Sequence, residues 1–153
     1  MEAIERYLDT LPGDEFLPFN LLYGDAGALR VAYARPGEKR LRREDVPPGI
    51  HVLPNDVLDS PELPKVARAR LLAAEVAHRP WPELEAGLKA LLADTVLPDL
   101  AHVPSPPAGD DLPRDFLRQL QALCIHTPAY GTRSSAIVTL APGHVGHYLA
   151  TET

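Results

Sequence analysis

Residues 47–65 read PPGIHVLPNDVLDSPELPK, and what lies on either side of them decides the fold. The stretch holds five prolines, one glycine, one histidine, one asparagine and three carboxylates. Proline fixes φ and removes an N–H, so the stretch cannot continue as helix or as central strand. Ile50 and Val52 flank His51 in its middle, which a plain flexible linker has no need of. Asn55-Asp56 can turn the backbone and accept capping bonds, and Ser60-Pro61 resembles a helix start. A stiff connection and a site loop both account for these residues.

Before this stretch the pattern is one helix and then strands. Ile4, Tyr7, Leu8 and Leu11 recur at helical spacing until Pro12-Gly13 ends the run. Strands follow over 19–23 and 28–34, joined by Gly24-Asp25-Ala26-Gly27 as a hairpin. Residues 41–44 pair briefly after the Pro36-Gly37 turn. Behind the stretch the pattern is helical. Val66, Ala69, Leu72, Ala73 and Val76 share one face, and Pro80-Trp81-Pro82 breaks the chain. Leu84, Leu88, Leu91 and Leu92 then stripe the next helix.

Residues 97–112 read as loop, most irregular over 104–109, and a helix starts near Pro113 with Phe116, Leu117 and Leu120 inward. A strand over 122–126 and a hairpin of 134–140 with 144–149 about Pro142-Gly143 complete the order. Strands bunch at both ends with helices between, which is an α+β arrangement, one sheet or two stacked sheets covered by the central helices.

Composition narrows the function. The 153 residues fit a single domain, 1–153, able to bury its own core. The net charge of -6 argues against a nucleic-acid partner, which needs a concentrated basic surface. The one basic cluster, Lys39, Arg40, Arg42 and Arg43, is interrupted by Glu38, Glu44 and Asp45 and reads as a solvated turn. No signal-peptide pattern and no transmembrane run is present, so the sequence predicts a soluble cytoplasmic chain without membrane insertion.

Cys124 is the single cysteine, and between Leu123 and Ile125 in an expected strand it reads as a buried structural thiol. His144 and His147, three apart in a strand, point to opposite faces and would not chelate one ion. His51, His78, His102 and His126 are isolated, and no metal site is expected.

Two segments stand out chemically. One is the opening stretch, where Asn55, Asp56, Asp59, Ser60 and Lys65 crowd together. The other is Tyr130-Gly131-Thr132-Arg133-Ser134-Ser135 at the mouth of a strand. There glycine permits close approach, arginine offers a rigid fork of donors for an oxyanion or carboxylate, and three hydroxyls add further donors. A polar hairpin mouth with an exposed arginine explains the same residues without a ligand.

Three blocks, in order, resemble one family. Residues 19–25, FNLLYGD, resemble its FNLL-x-GD strand and turn; residues 49–66, GIHVLPNDVLDSPELPKV, its GxHGLSNxxLDxPWPKV block; residues 130–135, YGTRSS, its YGTRSSTVLLV block. This is the NRDE, or transport and Golgi organisation, family, and the blocks span most of the chain. The resemblance implies the N-terminal-nucleophile-hydrolase fold, a four-layer αββα sandwich. Family members begin Met-Cys and carry an Asn-Arg-Asp-Glu run, whereas this chain begins Met1-Glu2 and has no such run. It therefore resembles the C-terminal part of a member, an incomplete sandwich without its N-terminal strands. Val52 and Pro54 replace a family Gly and Ser, and 61–65 carries one extra residue and no tryptophan.

What the resemblance implies for function follows from that. An amino-terminal cysteine would be nucleophile and base in that hydrolase class, and this chain lacks it. By analogy Asn55 is an oxyanion-side donor and Arg133 a charge-stabilising partner. The implied ligand-binding set is His51, Asn55, Asp59, Lys65, Tyr130, Gly131, Thr132, Arg133 and Ser134. The expected role is non-catalytic handling or trafficking of a small-molecule ligand, with haem as a candidate cargo. The alternatives are an amidohydrolase whose nucleophile segment is missing here, and a structural subunit that forms a homo-oligomer through apolar sheet faces left bare by the truncation.

Overall fold

The computed structural model describes residues 1–106 and 109–152. Within the irregular stretch 104–109, residues 107 and 108 lie outside the described residues. The chain divides into two compact units, Met1–Leu58 and Asp59–Thr153.

The first unit is one helix, α1 (Glu2–Asp9), and a three-stranded antiparallel sheet of β1 (Phe19–Gly24), β2 (Leu29–Ala34) and β3 (Arg42–Val46) in the order β1-β2-β3. The predicted hairpin and the brief third strand both form. Gly24 closes β1 because a Cβ there would lie 2.4 Å from the Ala28 carbonyl oxygen. Asp25 Oδ1 then accepts from the N–H groups of Gly27 (2.9 Å) and Ala28 (3.2 Å), fixing the turn.

The register divides the sheet into two working faces. On one, Leu8 of α1 packs into a core with Tyr23, Ala32, Ala34 and Leu41. Ile4 and Tyr7, expected inward with it, stay exposed. The reason is that Glu5 takes the position over the sheet: its carboxylate accepts from the Tyr23 hydroxyl (2.8 Å), Arg30 (2.9 Å) and Arg43 (2.8 Å). Arg30 also bonds Asp45 at 2.6 Å, and Arg43 bonds Asp9 at 2.8 Å. On the other face, Val31 and Tyr33 are fully buried.

Antiparallel strands at both ends, with the other helices grouped between them, make the chain α+β. The second unit begins with α2 (Pro64–Val76) and α3 (Glu83–Leu92). Val66, Ala69 and Val76 are buried along α2, while the leucine stripe of α3 is half-buried. The helices meet so closely that a Cβ on Gly87 would lie 2.4 Å from Val76 Cγ1. A single 3₁₀ turn (Leu100–His102), α4 (Arg114–Gln119) and a two-stranded ribbon of β4 (Ser134–Ala141) and β5 (His144–Glu152) follow.

Residues 122–126 do not form the expected strand. The backbone bonds Gln121 N to Arg118 O and Ala122 N to Gln119 O continue the turns of α4, and Cys124 N donates to Asp94 O at 2.8 Å. Only an isolated bridge, His126 with Gly131, remains. Cys124 is nonetheless buried, with Sγ 3.3 Å from His126 Nε2. Asp94, the acceptor's own residue, is held by Arg68 of α2, whose Nη2 lies 2.8 Å from Oδ1.

A bulge in the ribbon corrects another expectation. The pairing runs Thr139 with His147 but Leu140 with Val145 and Ala141 with His144. The extra residue in β5 resets the alternation, so His144 and His147 share a side of the ribbon. On that side Trp81 stacks on His147 with ring centroids 4.0 Å apart, and Thr139 Oγ1 lies 3.0 Å from His147 Nδ1.

Candidate functional site

The first unit uses its second sheet face to hold the loop 47–58. Asn20 Nδ2 donates to the carbonyls of Pro54 (2.6 Å) and Asp56 (2.9 Å). Arg35 donates to Asn20 Oδ1 (2.7 Å), to the Asp56 carbonyl (3.1 Å) and to the Phe19 carbonyl (3.1 Å). Tyr33 OH accepts from the Leu58 N–H at 3.0 Å and bonds Glu44, while Arg42 lies 4.3 Å and Arg35 5.0 Å from its ring centroid. Burial first, and then the Glu44 carboxylate, push the Tyr33 phenol above its ordinary pKa of 10.0.

These contacts make residues 47–58 a fixed loop of the first unit. Pro54 is buried and Asp56 half-buried, while Asn55 between them is exposed at the tip. Asn20 and Arg35 were not singled out from the sequence. The signal was available, since both are polar residues of a hairpin whose neighbours are apolar, and Asn20 belongs to the FNLLYGD block.

Beside the loop lies an open groove of about 550 Å³. Leu22, Leu29, Leu53 and Leu58 give it apolar walls, and the half-buried His51 borders it. Gly49 has φ +146, and a Cβ there would come within 3.2 Å of His51 Nε2. Only glycine adopts that backbone comfortably, so the loop sets the imidazole against bare backbone.

The remaining expected site residues belong to the second unit. Asp59 is half-buried with φ +54, a left-handed conformation that aspartate tolerates better than most residues, and Ser60 after it is buried. Lys65, in the first turn of α2, donates to the Leu120 carbonyl at 3.2 Å. Burial pushes its ammonium below the ordinary 10.5.

The segment from Tyr130 to Ser134 is a tight turn folded back on residues 125–127. Thr127 N and Thr127 Oγ1 donate to the Tyr130 carbonyl at 3.0 Å and 2.6 Å. Thr132 N donates to the Ile125 carbonyl at 2.9 Å, and Thr132 Oγ1 accepts from Ile125 N at 3.0 Å. A Cβ on Gly131 would meet that same carbonyl at 2.9 Å, which explains the glycine. Gly131, Thr132, Arg133 and Ser134 line a cavity of about 600 Å³ together with Glu152. Tyr130 is exposed on the turn outside that lining. Glu152 was missed from the sequence because the expected strand stopped at 149; in the register it pairs with Ser134.

Chemically, the two units offer different things. The first offers an apolar-walled groove with an imidazole, and an exposed carboxamide at Asn55. The second offers an open polar depression lined by Thr132, Arg133, Ser134 and Glu152, suited to a small charged group. His51 and Asn55 fall in the first unit, and Asp59, Lys65 and the 130–134 turn in the second. Among the described residues, no three His, Cys, Asp or Glu side chains are placed to hold a metal ion, and no helix is long and apolar enough to cross a membrane.

Comparison with known proteins places the chain. The sequence model of the family "Transport and Golgi organisation 2" matches residues 2–150. The chain is 33% identical over 141 residues to the bovine (Bos taurus) protein "Transport and Golgi organization protein 2 homolog", covering 83% of this chain and 48% of that relative. The chain thus spans about half the length of the curated relative it matches. No solved structure matches it. With nearly its whole length inside the family's sequence model, the chain belongs to the transport and Golgi organisation 2 family.

Proposed function

We propose that the chain is a small-ligand-handling member of this family, working by binding rather than by catalysis, in the cytoplasm. The observation that carries the reading is the groove of about 550 Å³ in the first unit, where leucine walls and the His51 imidazole sit together. Ligand sites combine such an apolar wall with a few fixed polar groups. A flat amphipathic cargo such as haem fits that chemistry: its ring face would lie on Leu22, Leu29, Leu53 and Leu58, with the edge of the His51 imidazole bordering it.

On this proposal the chain's α+β fold is part of an N-terminal-nucleophile-hydrolase-like domain. Asn55 keeps a donor role at the loop tip, and Arg133 a charge-binding role in its own cavity. The buried Cys124 adds no accessible nucleophile, which supports binding over amide hydrolysis by this part of the chain.

Haem titration of the purified chain, followed by absorbance, tests the reading. A saturable Soret shift at micromolar haem is expected, weakened at least tenfold in His51→Ala. No Soret shift at micromolar haem ends the haem reading.

A further inference from the structure

The β4–β5 ribbon has one dressed side and one bare side. Cross-strand pairs share a face and alternate along the strands. Ser135 with Thr151, Ile137 with Leu149 and Thr139 with His147 make the dressed side, where Ile137 is 8% exposed and Trp81 stacks on His147. Ala136 with Ala150, Val138 with Tyr148 and Leu140 with Val145 make the other. There Val138 is 49%, Leu140 76%, Val145 57% and Tyr148 68% exposed, and both alanines are exposed as well.

We infer that this bare face is a self-docking surface, packed in solution against the same face of a second copy of the chain. Size is the first argument. At these exposures the six side chains offer roughly 500–600 Å² of apolar surface, the upper limit of what soluble monomers leave uncovered. Two such faces together bury about 1,100 Å², just above the ~1,000 Å² that a specific interface must clear.

Shape and charge select a second copy as the partner. The face grades from small to large: Ala136–Ala150 at one end, Val138–Tyr148 in the middle, Leu140–Val145 at the other. A two-fold axis lying across the strands at Val138 and Tyr148 sets each small end against the partner's large end, so the face is complementary to itself, as an isologous contact requires. None of the six positions is charged, so the copies meet there without repulsion although each carries a net charge of -6. A nucleic acid or an anionic membrane would instead require cations on the face. A two-stranded ribbon is also marginal alone, and a second layer about 10 Å away converts it into a sandwich.

Sedimentation equilibrium of the whole chain from 1 to 200 μM tests the inference. A monomer–dimer equilibrium is expected, weakened at least 30-fold by Leu140→Lys and unchanged by Leu71→Lys, which alters another exposed leucine, on α2. The conservative Val138→Cys provides a readout that does not depend on disrupting the face. Across the proposed axis it faces its own copy, so a short bismaleimide should cross-link it into dimers and leave Leu71→Cys uncoupled. A chain that stays monomeric to 200 μM overturns the inference. So does a dimer indifferent to Leu140→Lys that Val138→Cys fails to cross-link, the result expected if the strands pair edge to edge instead.

Discussion

Strands β2 and β5 both belong to small antiparallel sheets, yet their side chains meet opposite fates. In β2, Val31, Ala32, Tyr33 and Ala34 are fully buried, on both faces. In β5 only Leu149 is even half-buried. Composition does not separate them, since HVGHYLATE carries as ordinary a mix of strand formers as LRVAYA. What differs is the supply of neighbouring layers. Glu5 draws α1 onto one side of β2, and Asn20, Arg35 and Tyr33 draw loop 47–58 onto the other. Polar side chains thus decide where apolar ones are buried. The ribbon has one such device, the Trp81–His147 stack, and so only one covered side.

The largest test of this contrast is Tyr33→Ala. It removes a buried ring, strips the Leu58 N–H of its acceptor and leaves Arg42 and Arg35 without the ring they flank. Truncating a buried aromatic costs about 4 kcal/mol, so urea denaturation should show a loss of that order, with early hydrogen exchange of the β2 amides. The matching change in the ribbon, Leu149→Ala, should cost under about 2 kcal/mol because the leucine is only half-buried. Equal losses at the two positions would break the comparison.

A smaller effect tests whether the second unit is tightly built where its helices meet. On propensity alone Gly87→Ala should stabilise α3 by about 1 kcal/mol. The new Cβ would instead sit 2.4 Å from Val76 Cγ1, and overpacking of that kind costs about 1–3 kcal/mol. A net loss of about 1 kcal/mol is expected, read from Trp81 fluorescence during unfolding. A gain would mean that α2 and α3 part easily, and would place the softness of this unit in its helices as well as its ribbon.

How much of this was legible in the sequence follows from the range of each interaction. The hairpin 19–34 was readable because its turn chemistry is local: Gly24 and Asp25 act within four residues of one another. The α2 face was readable for the same reason, as helical spacing is a local property. The strand expected over 122–126 failed because Cys124 N is claimed by Asp94 O, thirty positions earlier in the chain, which no local pattern displays. The histidine pair failed on a single bulge. Of the site, the blocks around Asn55 and Arg133 were visible as motifs, but not what holds them. Asn20 and Arg35 bond carbonyl oxygens, and a backbone acceptor leaves no mark on residue type.

The smallest expected effect, and the one that separates the units most cleanly, is the sign of their pH dependence. In the first unit Arg30, with Tyr23 and Arg43, holds the Glu5 carboxyl below its ordinary 4.5. A carboxyl depressed on folding stabilises the fold fully above that ordinary value and loses its contribution as pH falls through the folded one. Burial raises the Tyr23 phenol above 10.0, and a raised group contributes below its ordinary value and loses its contribution as pH rises through the folded one. Stability of the first unit should therefore fall away on both sides, with the acid limb flattened in Glu5→Gln. Lys65 in the second unit works the other way. Burial depresses its ammonium below 10.5, so the folded state gives up this proton first. Its cost is greatest while both states are charged, and it is relieved as pH climbs through the folded value toward 10.5, where the curve levels. Hydrogen exchange in β2 and Trp81 fluorescence, followed on one sample across pH 3 to 12, should diverge at the alkaline end, and Lys65→Met should abolish the rise in the second signal. Parallel curves would mean that the two units unfold as one, and the contrast between β2 and β5 would then be one of burial without separate stability.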